Sequence, residues 1–488
     1  MKKYIIAIDE GTSSVRAVAF DVQQNKIVYS RKEKLKTFYP HPGWVEQDAM
    51  EIFEKAKACL DDVLSTIDTT LVFGIGITNQ RETTVVWNKK SGIPVARAIS
   101  WQCRRTAPYI KKLSAKNVDY IKKTTGLIPD AYFSATKIRW ILDNNKRAQS
   151  LYEKGNLCAG TIDSFLVFGL TNKKAFVSDI TNASRTMLLN IKTGNWDDKL
   201  LSIFKIDKNI LPTVVENDKI VGYYSYNGEE IPIAGICGDQ QSSLFGQMCF
   251  DKGNIKITYG TGSFMLLNTG NDLLFSKNKL VTTVALKLKG KPIKYAIEGS
   301  VFNCGTAVDW LENIGLTHGP KDCDRLSLEF EDTNEAHFVP AFTGLGAPYW
   351  EPNARACLVG ILLNTKKEHI ARAVLEGIAY SVYDVFKVLE KDFKFIGKTI
   401  KVDGGVSNSQ VCMQTTSNLT QKEIIKSKEM ESTSMGAIYL CGLALGYYKN
   451  LTSLKKLYKH DKTYTPKIPE AKVKSLYNAW KNAVKKAI

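Results

Sequence analysis

Two short turns rich in glycine and hydroxyl residues are the segments of this chain best suited to bind a phosphate anion. In each case an apolar strand leads into the turn and a second apolar strand leads out. The first turn is Gly11-Thr12-Ser13-Ser14, and the second is Gly260-Thr261-Gly262-Ser263. Turns of this kind expose backbone N–H groups and hydroxyls, which an anion needs as donors. Two such turns predict two halves of the chain that close on one polyphosphate.

Charged residues flank the first turn. Asp9 ends the strand before it, and a carboxylate beside hydroxyls suits Mg²⁺ next to phosphates, although an ordinary turn aspartate gives the same pattern. Arg16 and the hydroxyls of residues 12–14 favour the phosphate interpretation, because they can neutralise the charge of a phosphoryl group in transfer. Neither a GxxxxGK[ST] P-loop nor a GxGxxG segment after a strand is present, so these two nucleotide-binding motifs are excluded.

Two polar segments follow predicted buried strands and could bind and activate a hydroxyl substrate. Arg81 and Glu82 come after the strand at 71–77, and together they could hold vicinal hydroxyls of a small polyol; a surface ion pair between neighbours is the alternative. Asp239 follows the strand that ends at Ile236 and is a candidate general base, with Gln240 orienting a second hydroxyl. A helix N-cap is the alternative for Asp239, and the two roles can coexist.

A third segment, Asp403-Gly404-Gly405, closes a later strand. Gly405 lets backbone approach a ligand closely, so a purine ribose could lie there, and a tight turn without a ligand is equally compatible. The five histidines form no HExxH and no local signature of a serine hydrolase, so hydrolase interpretations have little support.

The elements that must position these residues alternate between strands and helices, which predicts an α/β fold. A third strand at 26–30 follows the first hairpin, and Asp48 is predicted to cap a helix that runs to about Leu64, with Glu51 completing a capping box. A chain of 488 residues exceeds one ordinary core, so we predict two domains, 1–250 and 251–488, around a central cleft.

Composition narrows the class of protein. The net charge of +18 could indicate a nucleic-acid binder, but the lysines are scattered and form no basic tail, so no nucleic-acid partner is expected. The ten cysteines form no CxxC pair, which favours reduced thiols in a cytoplasmic protein. The apolar run after Lys3 is too short for a signal peptide, and no apolar run is long enough to span a membrane.

Nine segments, in order over nearly the whole chain, resemble the glycerol kinases of the FGGY carbohydrate kinase family: DEGTSSVRAV, ITNQRETTVVW, WQCRRTA, DAYFSATK, TNASRT, GDQQSSLFGQ, YGTGSFML, FTGLGAPYW and DGG. The resemblance implies the two-domain ATPase fold of actin, hexokinase and Hsp70, with ribonuclease H-like domains. It further implies ATP-dependent phosphorylation of glycerol to sn-glycerol 3-phosphate with Mg²⁺, in a homodimer or homotetramer.

Site roles follow from the resemblance, residue by residue. The implied glycerol-binding residues are Arg81, Glu82, Tyr132, Asp239, Gln240 and Trp101, with Asp239 as general base. The implied nucleotide and phosphate residues are Thr12, Ser13, Ser14, Arg16, Thr261, Gly305, Asp309, Gly405 and Ser409. We expect Asp9 and Asp239 to hold the magnesium ion.

The chain departs from the family pattern at several positions. Glu10 replaces the more usual Gln, a change we expect to be tolerated, and Asp309 stands where Gln is common. Ser409 aligns with the adenine-side Asn, one place after Asn408. The loop that binds the inhibitor fructose 1,6-bisphosphate in bacterial members is rich in Gly and Arg; here residues 225–230 are acidic and lack the Arg, which predicts no such inhibition.

Two alternatives remain open at this stage. The chain could phosphorylate another small polyol or ketose, although NQRE and GDQQ favour glycerol. It could also be a nucleotide-gated binding protein on the same ATPase fold, but that interpretation leaves Arg81, Glu82 and Asp239 without a role.

Overall fold

The computed structural model describes residues 2–428 and 431–488, and its first half opens with the predicted hairpin. The strands of this half are β1 (Tyr4–Glu10), β2 (Ser14–Asp21), β3 (Lys26–Lys34), β4 (Thr37–Phe38), β5 (Glu46–Gln47), β6 (Val72–Asn79), β7 (Thr84–Asn88), β8 (Ala98–Ile99), β9 (Leu157–Thr161), β10 (Val177–Asp179), β11 (Leu189–Asn190), β12 (Asn195–Trp196), β13 (Thr213–Val215), β14 (Ile220–Tyr226) and β15 (Glu229–Gly238). The helices are α1 (Ala49–Ser65), α2 (Ala107–Lys111), α3 (Ala115–Thr125), α4 (Ser134–Asn144), α5 (Lys146–Glu153), α6 (Ile162–Leu170), α7 (Ile180–Ala183), α8 (Asp198–Phe204) and α9 (Asp239–Gly246).

The second half repeats the opening pattern of a hairpin followed by further strands and helices. Its strands are β16 (Ile255–Tyr259), β17 (Ser263–Gly270), β18 (Val281–Leu286), β19 (Lys294–Val301), β20 (His337–Val339), β21 (Cys357–Val359), β22 (Thr399–Asp403), β23 (Glu423–Ser427) and β24 (His460–Tyr464). Its helices are α10 (Gly305–Asn313), α11 (Pro320–Ser327), α12 (Lys367–Asp392), α13 (Gln410–Thr420), α14 (Ser432–Ala444), α15 (Leu451–Lys455) and α16 (Glu470–Ala487).

The first large sheet has the strand order β14-β15-β6-β1-β2-β3, and its three central strands, β15, β6 and β1, run parallel. Glu10 pairs with Asn79 across β1 and β6, and Gly238 pairs with Asn79 across β15 and β6. Since parallel strands end at the same edge, the first turn, the Arg81 segment and Asp239 are brought side by side.

The second large sheet has the order β18-β19-β17-β16-β22-β23-β24, and it too has parallel neighbouring strands that end at one edge. Strands β16 and β17 form the second hairpin, while β22 runs parallel to β16, with Thr258 opposite Asp403. The second turn and the segment at 403–405 therefore emerge at one edge of this sheet.

Helix α14 of the second half packs on β1, β6 and β15 of the first sheet and on α9. It is apolar around most of its circumference, which is typical of a helix covered on all sides. Gly76 permits the close approach, because a Cβ there would lie 2.5 Å from the Ala437 carbonyl oxygen. The two halves thus share one packed boundary, and β1 is covered by a helix from the far end of the chain.

Local predictions near the first hairpin are mostly confirmed. Asp48 caps α1 by accepting hydrogen bonds from the backbone N–H groups of Met50 and Glu51, at 2.9 and 3.3 Å, and the helix ends at Ser65. The Glu51 carboxylate accepts from Lys55 at 2.6 Å, so among the described contacts only the Asp48 half of the capping box forms. Strand β3 extends past the predicted residue 30 to Lys34. None of the helices in the described part of the chain has the length and hydropathy that crossing a bilayer would need.

Candidate active site

A cavity of about 200 Å³ lies where the edges of the two large sheets face each other. The first half contributes residues from the hairpin turn, the segment after β6 and the start of α9, and the second half contributes the second hairpin turn. The lining residues are Asp9, Gly11, Thr12, Ser13, Gln80, Arg81, Glu82, Trp101, Tyr132, Asp239, Gln240, Thr258, Gly260, Thr261, Gly262, Phe264 and Thr433. Both predicted phosphate turns therefore open into one space.

The cavity brings together ten of the sequence-predicted site residues, namely Asp9, Thr12, Ser13, Arg81, Glu82, Trp101, Tyr132, Asp239, Gln240 and Thr261. Six others lie outside its lining: Ser14, Arg16, Gly305, Asp309, Gly405 and Ser409. All the predicted substrate residues belong to the first group. All six residues of the second group were assigned to the nucleotide or its phosphates.

Arg81 and Asp239 form an ion pair at the floor of the cavity, with 3.2 Å between Arg81 Nε and Asp239 Oδ1. The Arg81 side chain is 2% exposed and that of Asp239 28% exposed, so the carboxylate is the member that solvent and substrate can reach. Gly238 allows this approach, since a Cβ there would lie 2.7 Å from Arg81 Cγ. Asp239 is the first residue of α9, and Gly238 occupies the N-cap position.

Glu82 is buried, so the alternative of a surface ion pair with Arg81 is wrong. Its backbone has φ of 61°, a left-handed conformation that costs free energy for a non-glycine residue. Three donors hold its carbonyl oxygen in that conformation: Thr84 Oγ1 at 3.0 Å, Ser134 Oγ at 3.1 Å and Lys137 Nζ at 3.1 Å. This conformation directs the carboxylate of Glu82 inward, where its Oε1 accepts a hydrogen bond from Arg185 Nε at 2.6 Å.

Two aromatic side chains form one wall of the cavity and connect it to the first turn. The indole Nε1 of Trp101 donates to Thr12 Oγ1 at 2.9 Å. The Trp101 ring packs edge-on against Tyr132 and Phe264, with centroids 5.8 and 6.1 Å apart. An apolar wall beside the Arg81 and Asp239 charges suits a small ligand that has both a carbon chain and hydroxyls.

Glu10 is fully buried and lies behind the first turn. Its Oε1 accepts from Gln80 Nε2 at 2.6 Å, and the same Gln80 nitrogen donates to Gln47 Oε1 at 2.8 Å. Gln47 Nε2 in turn donates to the carbonyl oxygen of Thr12 at 2.7 Å. Burial raises the pKa of Glu10 well above its usual range, although Gln80 opposes the shift. Glu10, which replaces the more usual Gln, therefore has a hydrogen-bonded partner. That this replacement is tolerated stays a prediction.

Asp9 and Arg16 sit opposite each other in the first hairpin. Ser434 Oγ donates to Asp9 Oδ2 at 2.7 Å, and burial raises the pKa of Asp9 while Arg16 and Ser434 lower it. The Arg16 guanidinium forms an ion pair with Glu431. Asp9 and Asp239 line the same cavity, and their carboxylate oxygens are ligands that Mg²⁺ prefers, so this pair fits a magnesium ion held partly by phosphates and water.

The second turn is packed against the start of α10 and the end of β22. Gly305 donates its N–H to the Gly260 carbonyl oxygen at 2.9 Å, and a Cβ at Gly305 would lie 2.8 Å from that oxygen. Gly404 has φ of +87° and lies against the Tyr259 backbone, whereas the space around Gly405 is open. The glycine that the fold requires is therefore Gly404, and Gly405 is left free for a ligand.

Ser409 and Asp309 do not line the cavity. Ser409 caps α13, accepting from the Cys412 N–H at 3.1 Å and donating to Asp324 Oδ1 at 2.6 Å. Its hydroxyl is therefore engaged within the protein. Asp309 lies on α10, where burial followed by the nearby Glu312 raises its pKa.

Four buried charged residues at the site had no role in the sequence analysis: Lys137, Arg185, Lys256 and Glu298. Lys256 Nζ donates to Gln240 Oε1 at 2.5 Å and thereby turns the Gln240 amide nitrogen away from it, while burial lowers the lysine pKa to about 8. Lys137 is the last residue of the segment DAYFSATK and Arg185 is the fifth residue of TNASRT, so both lie in segments that the sequence analysis singled out. Glu298 and Lys256 lie within strands, outside every segment that the sequence analysis singled out.

Two family models together match most of the chain. The N-terminal domain of the FGGY family of carbohydrate kinases matches residues 4–246, and the C-terminal domain of the same family matches residues 255–445.

Individual relatives match along their full length. The chain is 47% identical to a glycerol kinase of Treponema denticola, covering 100% of this chain and 99% of the relative, and 48% identical to one of Shewanella pealeana, covering 99% of each. It superposes on the crystal structure of Plasmodium falciparum glycerol kinase with ADP with a TM-score of 0.91 and 35% identity, over 99% of this chain and 98% of that one.

Proposed function

Because the chain belongs to the FGGY family of carbohydrate kinases, we infer that it transfers the γ-phosphoryl group of ATP to glycerol, forming sn-glycerol 3-phosphate. The resemblance and the two-domain α/β fold predicted from the sequence are both confirmed. One observation carries the choice of reaction: a single cavity contains the Arg81, Glu82 and Asp239 side chains together with both phosphate turns.

Glycerol binds at the floor of this cavity. The Arg81 guanidinium donates to one hydroxyl and the Glu82 carboxylate accepts from another, while Gln240 orients the hydroxyl nearest Asp239. Trp101 and Tyr132 pack against the carbon backbone of glycerol. Support for these roles comes from the burial of Arg81 and Glu82, which removes competing water, and from the position of Trp101 on the cavity wall.

Asp239 acts as general base. It accepts the proton of the attacking glycerol hydroxyl as the new oxygen–phosphorus bond forms, and the bond from the γ-phosphorus to the bridging oxygen breaks, with ADP as the leaving group. Arg81 Nε, 3.2 Å from Asp239 Oδ1, orients the carboxylate for this step. Enclosure between the two halves keeps water from replacing glycerol as the nucleophile.

The two turns bind the phosphates from opposite sides. Thr12, Ser13, Ser14 and Arg16 belong to the first turn and its exit strand, and Thr261 belongs to the second. Gly305, Asp309, Gly405 and Ser409 are the proposed contacts of the nucleoside: the first two lie on α10 and the last two lie just before α13. Asp9 and Asp239 would hold the magnesium ion, which neutralises charge on the transferring phosphoryl group when bound.

The experiment that tests the proposed function measures ADP release with a panel of acceptors. We expect glycerol to give the highest kcat/KM, because Arg81, Glu82 and Gln240 line one small cavity, which suits a short polyol. Erythritol, xylitol and xylulose serve as competitors. A higher kcat/KM for any of these than for glycerol would identify that compound, and not glycerol, as the preferred substrate. ADP release independent of every acceptor would contradict the proposal.

Fructose 1,6-bisphosphate is expected to leave the activity unchanged. The hairpin of β14 and β15 carries Glu229 and Glu230 at the start of β15, and residues 225–230 contain no arginine, so this end of the hairpin repels an anion. The check is a titration of the bisphosphate at fixed glycerol and ATP, with ADP as a positive control for inhibition. Strong inhibition by the bisphosphate would show that the site is present.

We also propose a cytoplasmic location and a homodimeric or homotetrameric assembly. All ten cysteines lie among the described residues and are free thiols, which suits a reducing compartment. The assembly rests on the likeness to the family, and size-exclusion chromatography with light scattering would test it.

A further inference from the structure

Four buried side chains of alternating charge form a group beneath the glycerol end of the cavity: Arg81, Glu82, Arg185 and Glu298. Glu298 Oε2 accepts from Arg81 Nη1 at 2.6 Å, and Glu298 Oε1 accepts from Arg185 Nη2 at 2.8 Å. Arg185 also contacts the fourth member of the group, because its Nε donates to Glu82 Oε1 at 2.6 Å. None of the four side chains is more than 2% exposed, so water screens these interactions little.

Glu298 is the member of this group that comes from the second half of the chain. It lies on β19, inside the second large sheet, where it pairs with Leu266 of β17 and Val281 of β18. Arg81 follows β6 of the first sheet, and Arg185 follows α7. The carboxylate therefore crosses from one half to the other and holds two guanidiniums that belong to the opposite half.

The contacts of Arg81 show what Glu298 determines. Both terminal nitrogens of the guanidinium donate to Glu298, at 2.6 and 3.2 Å, and Nη1 also donates to Gln241 Oε1 at 3.1 Å. A bidentate contact of this kind fixes the plane of the guanidinium. The Nε edge of the guanidinium then faces Asp239 and the cavity that Arg81 lines.

Glu298 also separates two like charges. Burial alone would raise the pKa of Glu298, but Arg185 and Arg81 outweigh it and lower the pKa to about 2. The carboxylate is accordingly ionised at neutral pH. Without its charge, two buried guanidiniums would face each other with one carboxylate between them, and Arg81 would lose its strongest partner.

We propose that Glu298 is a positioning residue for glycerol: from the second half of the chain it holds Arg81, through a bidentate contact, in the orientation that binds glycerol and Asp239. The inference rests on the proposed function. It assigns to the second half a part in substrate recognition, so the glycerol site is complete only where the two sheets meet. Glu298 acts through Arg81 and has no place in the lining of the cavity.

The test compares Glu298→Gln with the wild type in steady-state kinetics. Glutamine keeps the volume and removes the charge, so we expect KM for glycerol to rise about tenfold or more, with KM for ATP changed less than about twofold. Glu376→Gln is the matched control, because Glu376 forms an ion pair with Arg372 at 2.7 Å on α12 of the same half. This control is expected to leave KM for glycerol unchanged.

A double-variant comparison separates positioning from general destabilisation. If Glu298 acts through Arg81, adding Glu298→Gln to Arg81→Ala will raise KM for glycerol far less than it does in the wild type. Full additivity, an unchanged KM in Glu298→Gln, or an equal rise in KM for ATP would each overturn the inference. If Glu298→Gln does not fold, Glu298→Asp takes its place, since it keeps the charge and shortens the reach, and the same outcomes apply.

The result also distinguishes this inference from the proposed function. Absence of glycerol-dependent ADP release in the wild type counts against the proposed function. Glycerol-dependent release that Glu298→Gln leaves unchanged counts against Glu298 alone.

Discussion

Replacement of Asp239 by asparagine is expected to lower kcat by about 10²–10⁴-fold, because the variant cannot accept the proton of the attacking hydroxyl. The substitution keeps the size of the side chain and its position at the start of α9. KM for ATP is expected to change less than kcat, since the turn residues that bind phosphate and Asp9, the other proposed magnesium ligand, remain. Coupled ADP release at saturating glycerol measures the loss.

Asp251→Asn is the control for Asp239→Asn. Asp251 is 63% exposed and pairs with Lys455 at 2.5 Å on the surface, so its loss is expected to change kcat less than about twofold. If kcat of Asp239→Asn equals that of the wild type, Asp239 is not the base. A loss that glycerol analogues of lower hydroxyl pKa fully restore would support proton transfer as the affected step.

Substitution of Arg81 by alanine is expected to raise KM for glycerol by about tenfold to a few hundredfold. Charge-assisted hydrogen bonds contribute about 1.5–3 kcal/mol each, and the variant also removes the Arg81 contact at 2.6 Å from Glu298 and the one at 3.2 Å from Asp239. The effect on kcat is expected to be smaller than that of Asp239→Asn. Initial rates over a range of glycerol concentrations at saturating ATP measure it.

An exposed arginine provides the comparison for Arg81→Ala. Arg325 is 62% exposed and contacts Asp322 at 2.8 Å, so Arg325→Ala is expected to leave both KM values unchanged. Wild-type KM for glycerol in Arg81→Ala would exclude a direct contact with glycerol. An equal rise in KM for glycerol and ATP would indicate a general loss of structure instead.

The positions of the chemistry-bearing segments could be predicted from the sequence because they follow from strand ends. Asp9, Arg81 and Asp239 each come at or just after the carboxyl end of a buried strand, and parallel strands bring such ends to one edge. The same argument located Thr261 and Gly405 in the second sheet. Strand periodicity and turn composition are local patterns, so they can be recognised in a single sequence without an alignment.

The partners of those residues could not be predicted in the same way. Glu298 lies 217 residues from Arg81 along the chain and within a strand whose pattern shows only that it is buried. Its contact depends on how the two sheets face each other, which no local pattern encodes. Ser409 is a second example: alignment assigned it to the nucleotide, and no local pattern predicted that its hydroxyl caps α13 and bonds Asp324.

Glu82 shows a third limit of sequence reasoning. Its left-handed backbone depends on hydrogen bonds from Ser134 and Lys137 of α4. These residues lie 52 and 55 positions away in the sequence, so no local pattern predicts the contact. Two adjacent charged residues in a sequence are compatible both with a surface ion pair and with a buried pair that binds a ligand. Burial of both side chains decides between them.

The most direct test of phosphoryl transfer to glycerol is ³¹P NMR of the reaction of the wild-type protein with ATP, glycerol and Mg²⁺. We predict that the signal of glycerol 3-phosphate grows in step with that of ADP, one molecule of each per ATP consumed. Formation of ADP with inorganic phosphate in place of the phosphomonoester would show transfer to water and would contradict the account.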